Sequence, residues 1–171
     1  MTVRTCALPA QALLTEYSGG GGYADCFVIE IGARISLARY VEAFYTSGLF
    51  RLERLVLTLA ARPSSDVQAV ELAAGRGSAF AAWKVESRAA DQLLMRDITA
   101  RTRSWFMVAP ATGGTKLYFG SAITTTRQSA SGPATIGPVF RALVGLHRLY
   151  SRALLASARG KLQRHSERVK L

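Results

Sequence analysis

The sequence predicts an α+β fold in which one antiparallel sheet is closed over by a long, basic C-terminal helix. Three observations carry this. Between Gly77 and Thr126 apolar residues recur at every second position, in four runs joined through the short turns Ala89-Ala90-Asp91, Ala100-Arg101 and Thr112-Gly113-Gly114, a spacing most simply met by hairpin connections between antiparallel strands. From Val139 to about Gln163 the period changes to three and four, which draws one apolar stripe along a helix. Hydrophobic residues make up 49% of the 171 and charged residues 19%, enough for one domain with a packed core and too apolar for a disordered chain.

Each element has its own local reason. Residues 1–22 read as a flexible lead-in, because Gly19-Gly20-Gly21-Gly22 has almost no conformational preference. A phosphate loop would continue as Gly-Lys-Ser/Thr, whereas Tyr23 and Ala24 follow here. Tyr23–Ile31 reads as a strand, with Phe27, Ile29 and Ile31 alternating with Cys26, Val28 and Glu30. Ser36 is placed to cap a helix over Leu37–Tyr45, which Thr46-Ser47-Gly48 interrupts. A second helix is expected from Leu49 to Ala61, its apolar face formed by Leu49, Leu52, Leu55, Val56 and Leu59, with Arg51, Glu53 and Arg54 towards solvent. Pro63 ends it. Ser65-Asp66-Val67-Gln68 has the form of a capping box and starts a short helix over Asp66–Ala74, stopped by Gly75.

The strands follow. Ala79–Glu86 puts Ala79, Ala81, Trp83 and Val85 on one face, and Gln92–Thr99 does the same for Leu93, Met95 and Asp97. Arg103–Ala109 groups Arg103, Trp105 and Met107, and Thr115–Thr125 groups Leu117, Phe119, Ser121 and Ile123. Gln128–Pro138, rich in Ser, Gly, Ala and Pro, is a loop. In the last helix Phe140, Leu143, His147, Tyr150, Leu154, Ala158 and Leu162 form the apolar stripe, while Arg141, Arg148, Arg152 and Arg159 form a basic one elsewhere on the cylinder. Residues 165–171 are expected to fray.

Several function classes are disfavoured. No apolar run reaches the ~18 residues needed to cross a bilayer, and the N-terminal apolar stretch, broken by Pro9 and Gln11, is not a secretory leader. Two cysteines, Cys6 and Cys26, are too few for a disulfide scaffold, so reduced thiols and a cytoplasmic location are expected. Two cysteines and two histidines, all singly placed, offer no metal spacing, and neither a metal nor a cofactor is expected. The net charge is +11, and the segment from Arg127 onwards holds nine basic residues against one acid, Glu167. That stripe is either a solvated helix face or a contact for an anionic membrane. No nucleic-acid partner is expected, because neither aromatic stacking platforms nor a helix-turn-helix accompanies it. No feature specifies an oligomeric state.

The order of elements resembles the START-like helix-grip superfamily, also called SRPBCC, over roughly residues 23–164. A narrower resemblance, to bacterial members of that superfamily, is carried by Ala82-Trp83-Lys84-Val85, Leu93-Leu94-Met95-Arg96-Asp97, Ser104-Trp105-Phe106-Met107-Val108, Gly114-Thr115-Lys116-Leu117 and the helix bearing His147. The resemblance implies a cavity between sheet and last helix that takes lipids, sterols or polyketides. It supplies no shared catalytic residues, although some members are cyclases or hydrolases.

On this reading the partner is a small apolar ligand. Its expected contacts are Trp83, Met95, Trp105, Met107 and Tyr118 from the sheet, with His147 and Tyr150 from the helix. Trp83 and Trp105 are expected to share a face. Ordinary core packing is the competing account of all these side chains. An enzyme of cyclase or hydrolase type would use His147 with Asp97 as an acid–base pair. The competing account makes His147 a structural histidine and Asp97 half of an ion pair with Arg103 on the next strand.

Overall fold

The computed structural model describes residues 2–19, 23–59, 63–124 and 138–168. The chain forms strands β1 (Arg4–Thr5) and β2 (Tyr23–Ile31), helices α1 (Leu37–Tyr45), α2 (Gly48–Leu59) and α3 (Asp66–Ala73), strands β3 (Ala79–Phe80), β4 (Trp83–Arg88), β5 (Gln92–Asp97), β6 (Thr102–Ala111) and β7 (Gly114–Ile123), and helix α4 (Pro138–Arg168). The fold is α+β, with one seven-stranded antiparallel sheet in the order β1-β2-β7-β6-β5-β4-β3. The meander from β4 to β7 follows the sequence period, and β2 closes onto β7 along nine paired residues, from Tyr23 opposite Ile123 to Ile31 opposite Thr115. The expected linker at 20–22, the loop at 128–137, the helix end at 60–61 and the final residues 169–171 lie outside the described residues, as do the side chains of Val56, Leu59, Phe140, Arg141 and Leu143.

The predicted caps are present. The Ser36 hydroxyl accepts from the Arg39 N–H, and Ser65 and Gln68 satisfy each other's backbone N–H groups in a complete capping box. The run expected as one strand over Ala79–Glu86 is instead two, because Ala81 takes a positive φ of 52° and turns the chain between β3 and β4.

The sheet buries both faces. On one, Phe27, Ile29, Leu93, Met95, Phe106, Leu117 and Phe119 meet α1, α3 and α4. Helix α4 lies over β2 and β7 and against α1, and buries Leu154, Leu155, Ala158 and Leu162. On the other, Cys26, Leu94, Trp105, Met107 and Ala122 are covered by the N-terminal segment through Ala12 and Leu14. The lead-in expected to be flexible is therefore folded over residues 2–19. Arg4 and Thr5 pair with Val28 and Phe27, and a 3-10 turn over Leu13–Tyr17 lies on the sheet.

One buried side chain pins that turn. The Gln92 carbonyl accepts from the Leu13 N–H at 2.9 Å and from the Trp105 indole at 2.8 Å, while its amide donates to the Gln11 carbonyl at 3.0 Å. Gly120 admits the approach, since a Cβ there would lie 2.9 Å from Leu14 and 2.7 Å from the Asp25 carbonyl.

Candidate functional site

Between α4 and the sheet lies a cavity of about 260 Å³. Its floor is Phe106 and Phe119 from the sheet, Phe44, Tyr45 and Phe50 close one side, and Trp83 stands at its rim, 6.0 Å from Phe50 between ring centroids. Edge-to-face contacts hold these rings to one another: Phe44 and Phe106 meet at 4.8 Å and 82°, Tyr45 and Phe50 at 4.8 Å and 85°. The walls are therefore both apolar and stiff. From α4 the lining residues are His147, Tyr150, Ser151 and Leu154.

Three polar groups converge on this space. The Tyr150 hydroxyl donates to the Glu53 carboxyl across the gap between α4 and α2. Burial pushes the Glu53 carboxyl above its usual range, and the bond from Tyr150 only partly opposes it. Burial, reinforced by the same bond, raises the Tyr150 phenol well above its ordinary value. The second group is a chain of hydrogen bonds. His147 Nε2 lies 2.7 Å from Ser121 Oγ, and that hydroxyl donates to Asp25 Oδ1 at 2.7 Å. The third is Ser151, whose Oγ is the one buried side-chain polar atom without a partner among the described residues. A buried hydroxyl left unpaired costs about 1–3 kcal/mol.

The Asp25–Ser121–His147 chain contains the residue types of a hydrolytic triad in the wrong order. In a triad histidine lies between the acid and serine, so that it can take the hydroxyl proton. Here serine lies in the middle. The Ser121 hydroxyl donates its one proton to Asp25, which leaves its oxygen to accept from the Nε2–H tautomer of His147. Asp25 is further held by the Ser121 N–H at 3.0 Å and the Tyr23 hydroxyl at 3.0 Å. The arrangement fixes the imidazole at the cavity wall, where it faces the serine oxygen and not the hydroxyl proton.

Compared with protein-family models, curated proteins and solved structures, the chain matches none.

The expected site residues separate. Trp83, His147 and Tyr150 line the cavity. Met95 is fully buried in the same core but does not border the space. Trp105, Met107 and Tyr118 lie on the opposite face of the sheet, under the N-terminal segment. Register explains this correction: Trp83 pairs with Asp97, and Met95 pairs with Ser104. The residues of β6 that share Trp83's face are thus Ser104 and Phe106, and Trp105 points away. Asp97 does not meet His147. It closes the β5–β6 turn, where backbone N–H groups of Thr99, Arg101 and Thr102 converge on it. Partial burial works against its charge, but these bonds prevail and hold the carboxyl below its usual range. Nor is Arg103 its partner, because Arg103 binds Glu86 at 3.2 Å and stacks 4.4 Å over Tyr17 on the far face.

Helix α2 is rotated from its expected orientation. Leu52 and Leu55 are about 60% exposed, whereas Phe50, Glu53 and Arg54 point inward. The basic stripe of α4 is partly committed within the molecule: Arg152 donates to the Val3 carbonyl and Arg159 to the Glu30 carbonyl, each at 3.1 Å. Arg148 is exposed.

Asp25, Glu53 and Ser151 are site residues that the sequence reading did not single out. Asp25 shares strand parity with Phe27, Ile29 and Ile31, and Glu53 lies three residues after Phe50. An acid on a buried parity was the available signal in both cases.

Glu53 also carries a pH prediction. Its folded carboxyl keeps the proton to higher pH than the unfolded chain does. The stability this provides is complete below the ordinary glutamate range and is lost as pH rises through the folded value. The Tm of Glu53→Gln minus that of the native protein should therefore grow more positive as pH increases through that window. Calorimetry from pH 4 to pH 8 on both proteins checks it, and a constant difference refutes it.

Proposed function

We propose that this protein binds a small, mostly apolar ligand carrying one polar group in the cavity between α4 and the sheet, in the manner of the START-like helix-grip proteins it resembles. The observation that carries the reading is Ser151: its buried hydroxyl is unpaired and the residue lines an aromatic cavity, so a polar atom bound there within reach would satisfy it. Burial raises the neighbouring Glu53 carboxyl above its usual range, and an acid on the wall disfavours an anionic group in either of its protonation states. Size narrows the class. At ~20–30 Å³ per heavy atom, 260 Å³ holds on the order of ten. A single polyketide-like ring or a short acyl chain fits inside, and a full-length lipid does not. Binding without turnover is the favoured form, because His147 lacks the Asp97 partner that an acid–base pair required. The proposed setting is the cytoplasm, where two unjoined thiols persist. Among the described residues no helix is long and apolar enough to cross a membrane.

The two tryptophans make the test simple. Trp105→Phe leaves Trp83 as the only indole, at the cavity rim. Titration of that variant with 2-naphthol, a neutral probe of about ten carbons and one hydroxyl, should quench Trp83 saturably with a Kd of roughly 100 μM. Absence of saturable quenching up to the solubility limit, with no apolar compound recovered by extraction or native mass spectrometry, would end the proposal.

A further inference from the structure

Outside the cavity, the least expected chemical feature is the meeting of the two cysteines. They are 20 positions apart, Cys6 just past the end of β1 and Cys26 within β2, yet Cys6 Sγ lies 3.0 Å from Cys26 Sγ. The backbone fixes the approach: the Cys6 N–H donates to the Cys26 carbonyl at 3.0 Å, directly after β1 has paired with β2. Closing from 3.0 Å to the length of a disulfide, about 2.05 Å, needs a shift of roughly one ångström.

The two thiols are not equivalent. Cys26 is 2% exposed, in the core beneath the N-terminal segment. Cys6 is partly exposed and opens onto two clefts. One, of about 440 Å³, carries Arg148, and the other, of about 350 Å³, carries Arg4 and Lys116. Cys26 and Asp25 also border the first cleft, but with 2% of its surface exposed Cys26 offers a small oxidant far less access than Cys6 does.

We propose that Cys6 and Cys26 form an oxidisable dithiol, in which Cys6 is the attacking thiolate, Cys26 the resolving thiol, and a hydroperoxide the oxidant. The Cys6 thiolate attacks the terminal peroxide oxygen, the O–O bond breaks, and water or an alcohol leaves after protonation, so that Cys6 becomes a sulfenic acid. The Cys26 sulfur then attacks the Cys6 sulfur. The S–O bond breaks, and the departing hydroxide leaves as water with the Cys26 proton. Two thiols and one hydroperoxide give one disulfide, one alcohol or water, and one further water; the thiols lose two electrons and the peroxide gains them. The electrostatics agree with this division of roles. The hydrogen bond from Cys26 lowers the Cys6 thiol, and Arg4 adds to this against a burial cost. The same contact, followed by burial, raises Cys26.

The product would staple residue 6 to β2 and close the loop that carries Leu14 over Trp105. Oxidation thus tightens the cover on the face of the sheet opposite the cavity, and the inference does not depend on the ligand reading.

The whole chain, reduced and desalted, is treated with one equivalent of hydrogen peroxide. The expected outcome is loss of both titratable thiols, a mass decrease of about 2 Da without intermolecular dimer, and a rise in Tm of roughly 6–12 °C that dithiothreitol reverses. In Cys26→Ser the reaction should stop at Cys6, trapped by dimedone, and in Cys6→Ser the remaining thiol should react at least ~10-fold more slowly. Retention of both thiols in the native chain, or oxidation solely to dimers, overturns the proposal whether or not the variants fold. Equal reactivity of the two single variants overturns the assignment of roles.

Discussion

Leu14→Ala is expected to cost about 2–5 kcal/mol, the range for emptying a fully enclosed leucine site. Leu14 is 0% exposed although it lies in a stretch whose composition reads as a tail. It packs in the cluster with Trp105, Leu94 and Met107 on the second face of the sheet. The site cannot be refilled by local collapse, because Gln92 anchors the turn that bears it at the Gln11 carbonyl and the Leu13 N–H. For a chain of this length the loss corresponds to a fall in Tm on the order of 5–15 °C, and a lower urea midpoint should accompany it. If residues 2–19 were a loose lead-in, both observables would be unchanged. The control is Val67→Ala, at a site 70% exposed, which should move neither by more than about 0.5 kcal/mol.

That leucine marks the border between what the residue pattern discloses and what only packing decides. The meander and the caps were legible because each is local. Pairing from β5 to β7 runs without a break in register, and Ser65 and Gln68 lie at the one separation at which each reaches the other's backbone. Parity correctly grouped Trp105 with Met107. It is silent, however, on which layer a face meets, and here both faces are apolar because both are covered. The same gap misplaced Glu53. Five aliphatic residues in α2 outline an apparent inner face, yet the helix turns Phe50 and Glu53 inward, where Phe50 packs on Tyr45 and Phe80 and Glu53 meets Tyr150 from a helix 97 residues away. Aromatic packing and one hydrogen bond from across the cavity outweigh a leucine stripe, and neither is visible in a helical window of α2. His147 and Tyr150 were legible for the opposite reason: they interrupt an otherwise aliphatic stripe on the longest helix, and a polar tip on such a stripe has to be met by something inside.

The cavity yields its sharpest prediction at Ser151. Replacing it with leucine removes the unpaired hydroxyl and extends an apolar side chain into space that the fold leaves open. Helical propensity is unharmed or improved, since leucine ranks above serine. Stability should therefore be unchanged or raised by about 1–2 kcal/mol. Binding should move the other way. The added side chain takes up a substantial share of 260 Å³ and abolishes the buried unpaired hydroxyl, so affinity for 2-naphthol in the Trp105→Phe background should fall at least ~30-fold, about 2 kcal/mol. This opposition separates a binding site from a packing flaw. A flaw, once filled, gains stability and loses nothing. A closely packed interior would instead reject the leucine and lose about 1–3 kcal/mol through strain. Chemical denaturation and quenching of Trp83 on the same two proteins distinguish the three cases. Only higher or equal stability together with lost binding supports a protein that keeps Ser151 unpaired for a ligand's sake, a stability deficit that selection tolerates where function requires it.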